Sequence, residues 1–148
     1  IIATLGSSIT NVMIAVGIAY SPGLARVTRS AVIAVTQFEY VTAARAAGAG
    51  DFRIIWRHIL PNSTWPIILH TTLSMAGAIL SAAALSYLGL GVQPPTAEWG
   101  SMLNNARQFY TVAPHAVAYP GLAIMITVLS LNLLGDGLRD AFDPRMKS

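Results

Sequence analysis

Three long stretches of this chain carry no permanently charged side chain: residues 1–25, 58–97 and 108–135. A helix needs about 20 mostly apolar residues to cross a hydrocarbon core about 30 Å thick. Each stretch is long enough. Buried helices of a water-soluble domain account for one such run in 148 residues but not for three. Only 10% of the residues are charged, against roughly 25% in an average soluble domain. The chain reads as an all-α polytopic membrane protein with spans at about 8–25, 66–90 and 116–134.

Between the spans, the basic residues are unevenly divided. Arg26, Arg29, Arg45, Arg53 and Arg57 lie in the 26–61 loop, and Arg139, Arg145 and Lys147 in the 135–148 tail, leaving Arg107 alone in the 91–115 loop. An excess of Lys and Arg marks the cytoplasmic face of a membrane protein. The 26–61 loop and the C-terminus are therefore expected in the cytoplasm, and the 91–115 loop outside. Membrane orientation accounts for the net charge of +3, so nothing here calls for nucleic acid as a partner. The bilayer is the first partner the composition implies. Cysteine is absent, which excludes a disulfide framework, thiolate metal ligands and a Cys nucleophile. His58, His70 and His115 are too widely spaced to form a ligand pair on one helix, so no metal site is expected. The chain begins with Ile inside an apolar stretch and reads as the C-terminal part of a longer protein.

Several local features give the spans more detail. Pro22-Gly23 is expected to kink or end the first helix, because proline removes a backbone donor and glycine relaxes the backbone. Ser74, Ala78, Ala82 and Ser86 recur every fourth residue, so they line one face, and small residues at that spacing let helices in lipid approach closely. In the outer loop Trp99, Met102, Leu103, Ala106, Phe109 and Tyr110 fall near helical spacing. They predict a short amphipathic helix at the outer interface, where Trp and Tyr are favoured.

The inner loop carries the most informative pattern. Residues 39–47 are helix formers, with Tyr40, Ala43, Ala44 and Ala47 on a nearly smooth face. Gly48 stands where helices commonly end in a left-handed residue, and Arg45 sits in the last turn, where its charge suits the helix dipole. Asp51 reads as the N-cap of a second helix over 52–60, and Pro61 as its stop. A short rod with small side chains, flanked by arginines, suits docking into a groove of another protein.

In this loop Thr42-Ala43-Ala44, Gly48 and Leu60-Pro61 stand at separations that resemble the cytoplasmic loop of the membrane subunits of ATP-binding-cassette importers. That family's pattern is Glu-Ala-Ala, three residues, Gly, nine residues, Ile, one residue, Leu-Pro. The chain departs from it at Thr42, where Glu is usual, and at His58, where Ile is usual. The stretches "LSYLGLGVQPPTAEWGSML" and "NLLGDGLRDAFDPR" extend the likeness to the dipeptide, oligopeptide and nickel group of such permeases. The resemblance covers nearly the whole chain.

The resemblance implies one domain, residues 1–148, forming about three spans of a six-span permease in a bacterial or archaeal inner membrane. It implies that Glu39, Tyr40, Thr42, Ala43, Ala44, Arg45, Gly48, Leu60 and Pro61 couple the spans to two separate ATPase subunits, which bind the ATP and Mg. It implies a second, related permease as partner. An extracytoplasmic solute-binding protein is the remaining partner, with Trp99 and Gly100 of the outer loop as the contact. No cofactor and no catalytic residue are expected in this chain: its one lysine is Lys147, and no Gly-rich loop ending in Lys-Ser or Lys-Thr is available to hold phosphates. Two other classes stand beside this reading. An ion-coupled secondary transporter needs ionisable groups within its spans, where only His70 qualifies; a membrane-anchored assembly protein needs an inner docking loop but no second permease and no soluble binder.

Overall fold

The computed structural model describes residues 6–142 of the chain. Arg145, Lys147 and Pro144, expected at the inner end of the tail, lie outside the described residues. All regular structure among the described residues is helical: α1 (Ile9–Thr36), α2 (Glu39–Ala46), α3 (Asp51–Tyr87), α4 (Trp99–Ala106) with a 3-10 turn over Arg107–Phe109, and α5 (Pro114–Phe142).

Two helices meet both the length and the apolarity that a span requires, Asp51–Tyr87 and Pro114–Ala141, and only 17% and 11% of their apolar windows are buried. A core helix of a soluble domain would hide such a surface; here it faces outward, as lipid or further helices demand. α1 is 28 residues long, but Asn11, Ser21, Pro22 and Arg26 dilute its apolar content, so it signals a span more weakly than the charge-free run predicts.

None of the internal prolines breaks its helix. Pro22 lies inside α1 and Pro120 inside α5. Beside Pro22, whose missing N–H leaves the Ile18 carbonyl without its usual donor, Ser21 Oγ donates to that carbonyl at 3.1 Å. Pro61 does not stop the helix over 52–60 either. The turn before it widens into a π-helix over Ile55–Ile59, in which Leu60 N–H reaches back to Ile55 O, and α3 continues to Tyr87. Carbonyls around this turn also accept from side chains: Asn62 Nδ2 donates to His58 O at 2.7 Å, Ser63 Oγ to Ile59 O at 2.9 Å and Thr64 Oγ1 to Leu60 O at 2.6 Å. With little water near a bilayer to bond backbone groups, internal donors such as Ser21 are what allow proline in a spanning helix.

α3 is the central element, in contact with α1, α4 and α5. Ser74, Gly77, Ala78 and Ser81 share one helical face, spaced i, i+3, i+4 and i+7, and that face meets α1. Tyr20 and Ser81 share a hydrogen bond at 3.1 Å. A Cβ on Gly77 would come within 2.7 Å of the Tyr20 hydroxyl, so glycine makes the close approach possible. Ser74 and Ala78 line a cavity of about 240 Å³ beside Gly17, Tyr20 and Ser21. On the other side of α3, Thr72 and Leu73 meet α5 at Gly135.

The remaining two residues of the small-residue stripe behave differently. Ala82 is half-buried, and Ser86 is buried where the chain folds back after α3, its Oγ accepting from Val92 N–H at 3.1 Å. The stripe thus divides between helix packing and closure of a loop, because a four-residue spacing drifts around a helix of 3.6 residues per turn.

Gly77→Ala should lower the unfolding midpoint of the detergent-solubilised protein, by about 1–3 kcal/mol for an overpacked site. Tyr20→Phe removes the obstructing Oη, so the double variant should recover most of that loss. Simple addition of the two single effects in a thermal-unfolding cycle would show that the Tyr20 hydroxyl is not the obstacle.

Candidate functional site

The candidate site is the 37–60 region that joins α1 to α3. α2 is a single eight-residue rod with Glu39 in its first turn and Arg45 in its last, both favourable to the helix dipole. It ends in a left-handed turn: Gly48 has φ +83°, Gly48 N–H donates to Arg45 O at 3.0 Å and Ala49 N–H to Ala44 O at 3.1 Å. That pair of bonds is the Schellman arrangement, which needs a residue that tolerates positive φ. The next helix is capped by Gly50 rather than by Asp51. Asp51 is the first helical residue, and its carboxylate lies 3.7 Å from the Arg45 guanidinium across the turn, both side chains well exposed. An exposed pair of this kind contributes about 0–1 kcal/mol.

What fixes α2 in place is apolar. Val41, 2% exposed, packs with Val35 of α1 and with Ile54 and Ile59 of α3, while Val32 and Ala49 close the edges. Burying each such side chain is worth about 1.5–3 kcal/mol, so the cluster outweighs the ion pair. The sequence reading passed over Val41, although it is the one aliphatic side chain larger than alanine in α2.

Around this clamp the predicted residues divide between two faces. Tyr40, Ala43 and Ala47 are exposed together, with Glu39, Thr42 and Arg45 beside them, whereas Ala44 leans half-buried toward the chain itself. Tyr40 stacks on Phe38 with ring centroids 5.7 Å apart and reaches His58 at 6.2 Å. Leu60 and Pro61 are exposed on the far side of the π turn. Phe52 and Trp56 are also exposed, their rings 6.0 Å apart. Their i, i+4 spacing was legible in the sequence, though it was not read as part of the site.

At the opposite end of α3 the short helix expected in the 91–115 loop forms as α4, with Glu98 as N-cap accepting from Ser101 N–H at 2.8 Å. The buried face is the small one, Gly100, Ser101 and Ala106, while Trp99, Met102 and Phe109 stay exposed. Gly100 is buried against the Ala83 carbonyl of α3, where any Cβ would collide. Of that predicted pair only Trp99 is exposed. The histidines remain apart: His58 lies near Tyr40 of α2, His70 near Gly23 of α1, and His115 faces Tyr119 at 6.2 Å. Among the described residues no three of His, Asp, Glu and Cys gather at one point.

Val41→Ala should loosen the clamp by about 2 kcal/mol, seen as faster amide exchange over residues 39–54 with the protection of 68–86 unchanged. Gly48→Ala should cost about 1–2 kcal/mol in the same region, because an alanine is held at positive φ.

The comparisons with known proteins agree along the entire chain. The family described as "Binding-protein-dependent transport system inner membrane component" matches residues 1–148. The chain is similar to the glutathione transport system permease protein GsiD of Escherichia coli O157:H7, of Shigella flexneri serotype 5b (strain 8401) and of Shigella sonnei (strain Ss046). Each is 50% identical over 147 residues, which is 99% of this chain and 48% of the relative. The chain thus spans about half the length of the curated relatives it matches.

Proposed function

Because this chain belongs to the binding-protein-dependent transport system inner membrane component family, we propose that it forms part of the translocation pathway of an ATP-driven importer. The observation that carries this reading is the exposed, small-residue face of α2, held rigidly by the Val41 clamp between α1 and α3. Any force on that face passes at once to both long helices. A coupling element must have two arrangements that both partners bias, and the π turn over Ile55–Ile59, next to Pro61, is where α3 is least regular. Movement of α2 by closure of an ATPase pair would tilt α1 and α3 together.

In this reading ATP and Mg are bound and hydrolysed on two partner ATPase subunits, and a second, related permease completes the pathway. An extracytoplasmic solute-binding protein delivers the solute to the α4 side, where Trp99 is the exposed aromatic anchor. The solute class is a small peptide or a peptide-like molecule. Support comes from the similar permeases, whose names assign them to glutathione transport, and from the resemblance to peptide permeases in three stretches of sequence. The 26–61 loop and the C-terminus face the cytoplasm of a bacterial or archaeal cell, on the arginine distribution.

Two measurements on the complete transporter test this. Ala43→Trp fills an exposed face without disturbing the clamp, so the protein should reach the membrane at normal levels while solute-stimulated ATP hydrolysis falls more than tenfold. Normal stimulation in that variant would sink the reading. Separately, Ala43→Cys should react with a membrane-impermeant maleimide only after the inner face is opened.

A further inference from the structure

Ile54 and Ile59 are both buried in the cluster around Val41, 1% and 6% exposed, while Ile55, Trp56 and Arg57 between them are exposed. At about 100° per residue, a regular α-helix sets two residues five apart about 140° away from each other. One clamp could not hold both. The π turn over Ile55–Ile59 removes the conflict, because its bonds close on i→i+5, as in Leu60 N–H to Ile55 O, and residues five apart come round to the same side. The turn is what delivers Ile59 to α2.

A regular α-helix through the same segment would deliver a different residue. His58, four residues after Ile54, would take the place beside Val41, and Ile59 would swing out of the clamp. Ile54 serves both registers. In the π register His58 is half-buried, its ring 6.2 Å from that of Tyr40. The seated clamp favours this register, because the α register would bring an imidazole into the apolar cluster in place of an aliphatic side chain. Displacing α2 removes that preference.

Exchange between the registers is local. Leu60 N–H passes from Ile55 O to Trp56 O, and Pro61, which has no N–H, has no backbone bond to break in either case. The helix stays continuous throughout. What changes is its phase: the start of α3 turns by about 100° and moves by about 1.5 Å relative to the apolar length beyond Pro61, one residue's worth of helix. Single π turns inside α-helices occur frequently at functional sites, and this one lies where the attachment of α2 meets the long apolar helix.

We propose that the π turn over Ile55–Ile59 is a register switch, with Ile59 seated against Val41 in one state and His58 in the other. Movement of α2 by the closing ATPase pair unseats Ile59, the turn goes over to α, and the displacement of α2 becomes a rotation within α3. This rests on the reading of α2 as the moved element and supplies the two arrangements that such coupling requires.

The test uses the complete transporter in nanodiscs, to which this chain brings no cysteine of its own. Oxidative cross-linking compares the double variant Val41→Cys/Ile59→Cys with Val41→Cys/His58→Cys. The link from 41 to 59 should be the major product without nucleotide, and the link from 41 to 58 the major product once the ATPase pair is held closed on a non-hydrolysable ATP analogue. The same product dominating in both states overturns the switch. A second variant needs no cysteine: exchanging the two side chains, His58→Ile with Ile59→His, favours the α register in every state, so solute-stimulated ATP hydrolysis should fall about tenfold or more. Wild-type stimulation in that variant also overturns the proposal. Ala43→Trp keeps the two levels apart. If it blocks stimulation while the cross-links ignore nucleotide, the switch is removed and the α2 reading stands; if it leaves stimulation normal, both fall.

Discussion

In a bilayer every backbone N–H and C=O has to find a partner within the protein, and the rest of this structure follows from how the chain meets that demand. Four prolines, Pro22, Pro61, Pro66 and Pro120, fall inside its long helices, and the helices run through all of them. Ser21, Asn62, Ser63 and Thr64 donate to carbonyls near Pro22 and in the π turn before Pro61. Asp51–Tyr87 therefore forms one continuous rod of 37 residues. A break at Pro61 would leave α2 on a free hinge; continuity makes the start of α3 and its apolar length one mechanical body.

On that rod the forces are divided by depth. Where α3 runs beside α1 and α4, small residues allow close approach: Gly77 under Tyr20, and Gly100 against Ala83. Hydrophobic burial drives little association between helices in lipid, so close van der Waals packing and the occasional hydrogen bond, such as Tyr20 to Ser81, take its place. At the α2 end the cluster of Val35, Val41, Ile54 and Ile59 is an ordinary hydrophobic core in miniature. Its aliphatic side chains pack together, and removing such surface from solvent is favourable.

This division gives the proposed coupling its physical sense. A docking rod has to be stiff in its attachment and bland on its outer face. α2 is attached through one deeply buried valine and presents alanine and threonine outward, with Tyr40 at one end and the Gly48 turn at the other. The arginines contribute charge more than stability, since the Arg45–Asp51 ion pair is exposed.

Charge-free runs, the arginine bias and the turn chemistry at Gly48 were all legible in the sequence, because each rests on local composition or on a single backbone conformation. So was the family, from the spacing of Ala43-Ala44, Gly48 and Leu60-Pro61. The course of the chain through Pro22 and Pro61 was not, because the donors that rescue a proline act only once the helix around them exists. The inward side of α2 was equally hidden: Val41 becomes an anchor only when α1 and α3 converge on it from 6 and 13 residues away in sequence, at Val35 and Ile54. Gly100 looked like a surface residue of an outer loop until Ala83, 17 residues earlier, proved to lie against it. The sequence by itself determined which segments are apolar, which are basic and where the turns fall; the tertiary structure alone decided which face of each helix is spent on packing, because that choice depends on partners that no local pattern encodes.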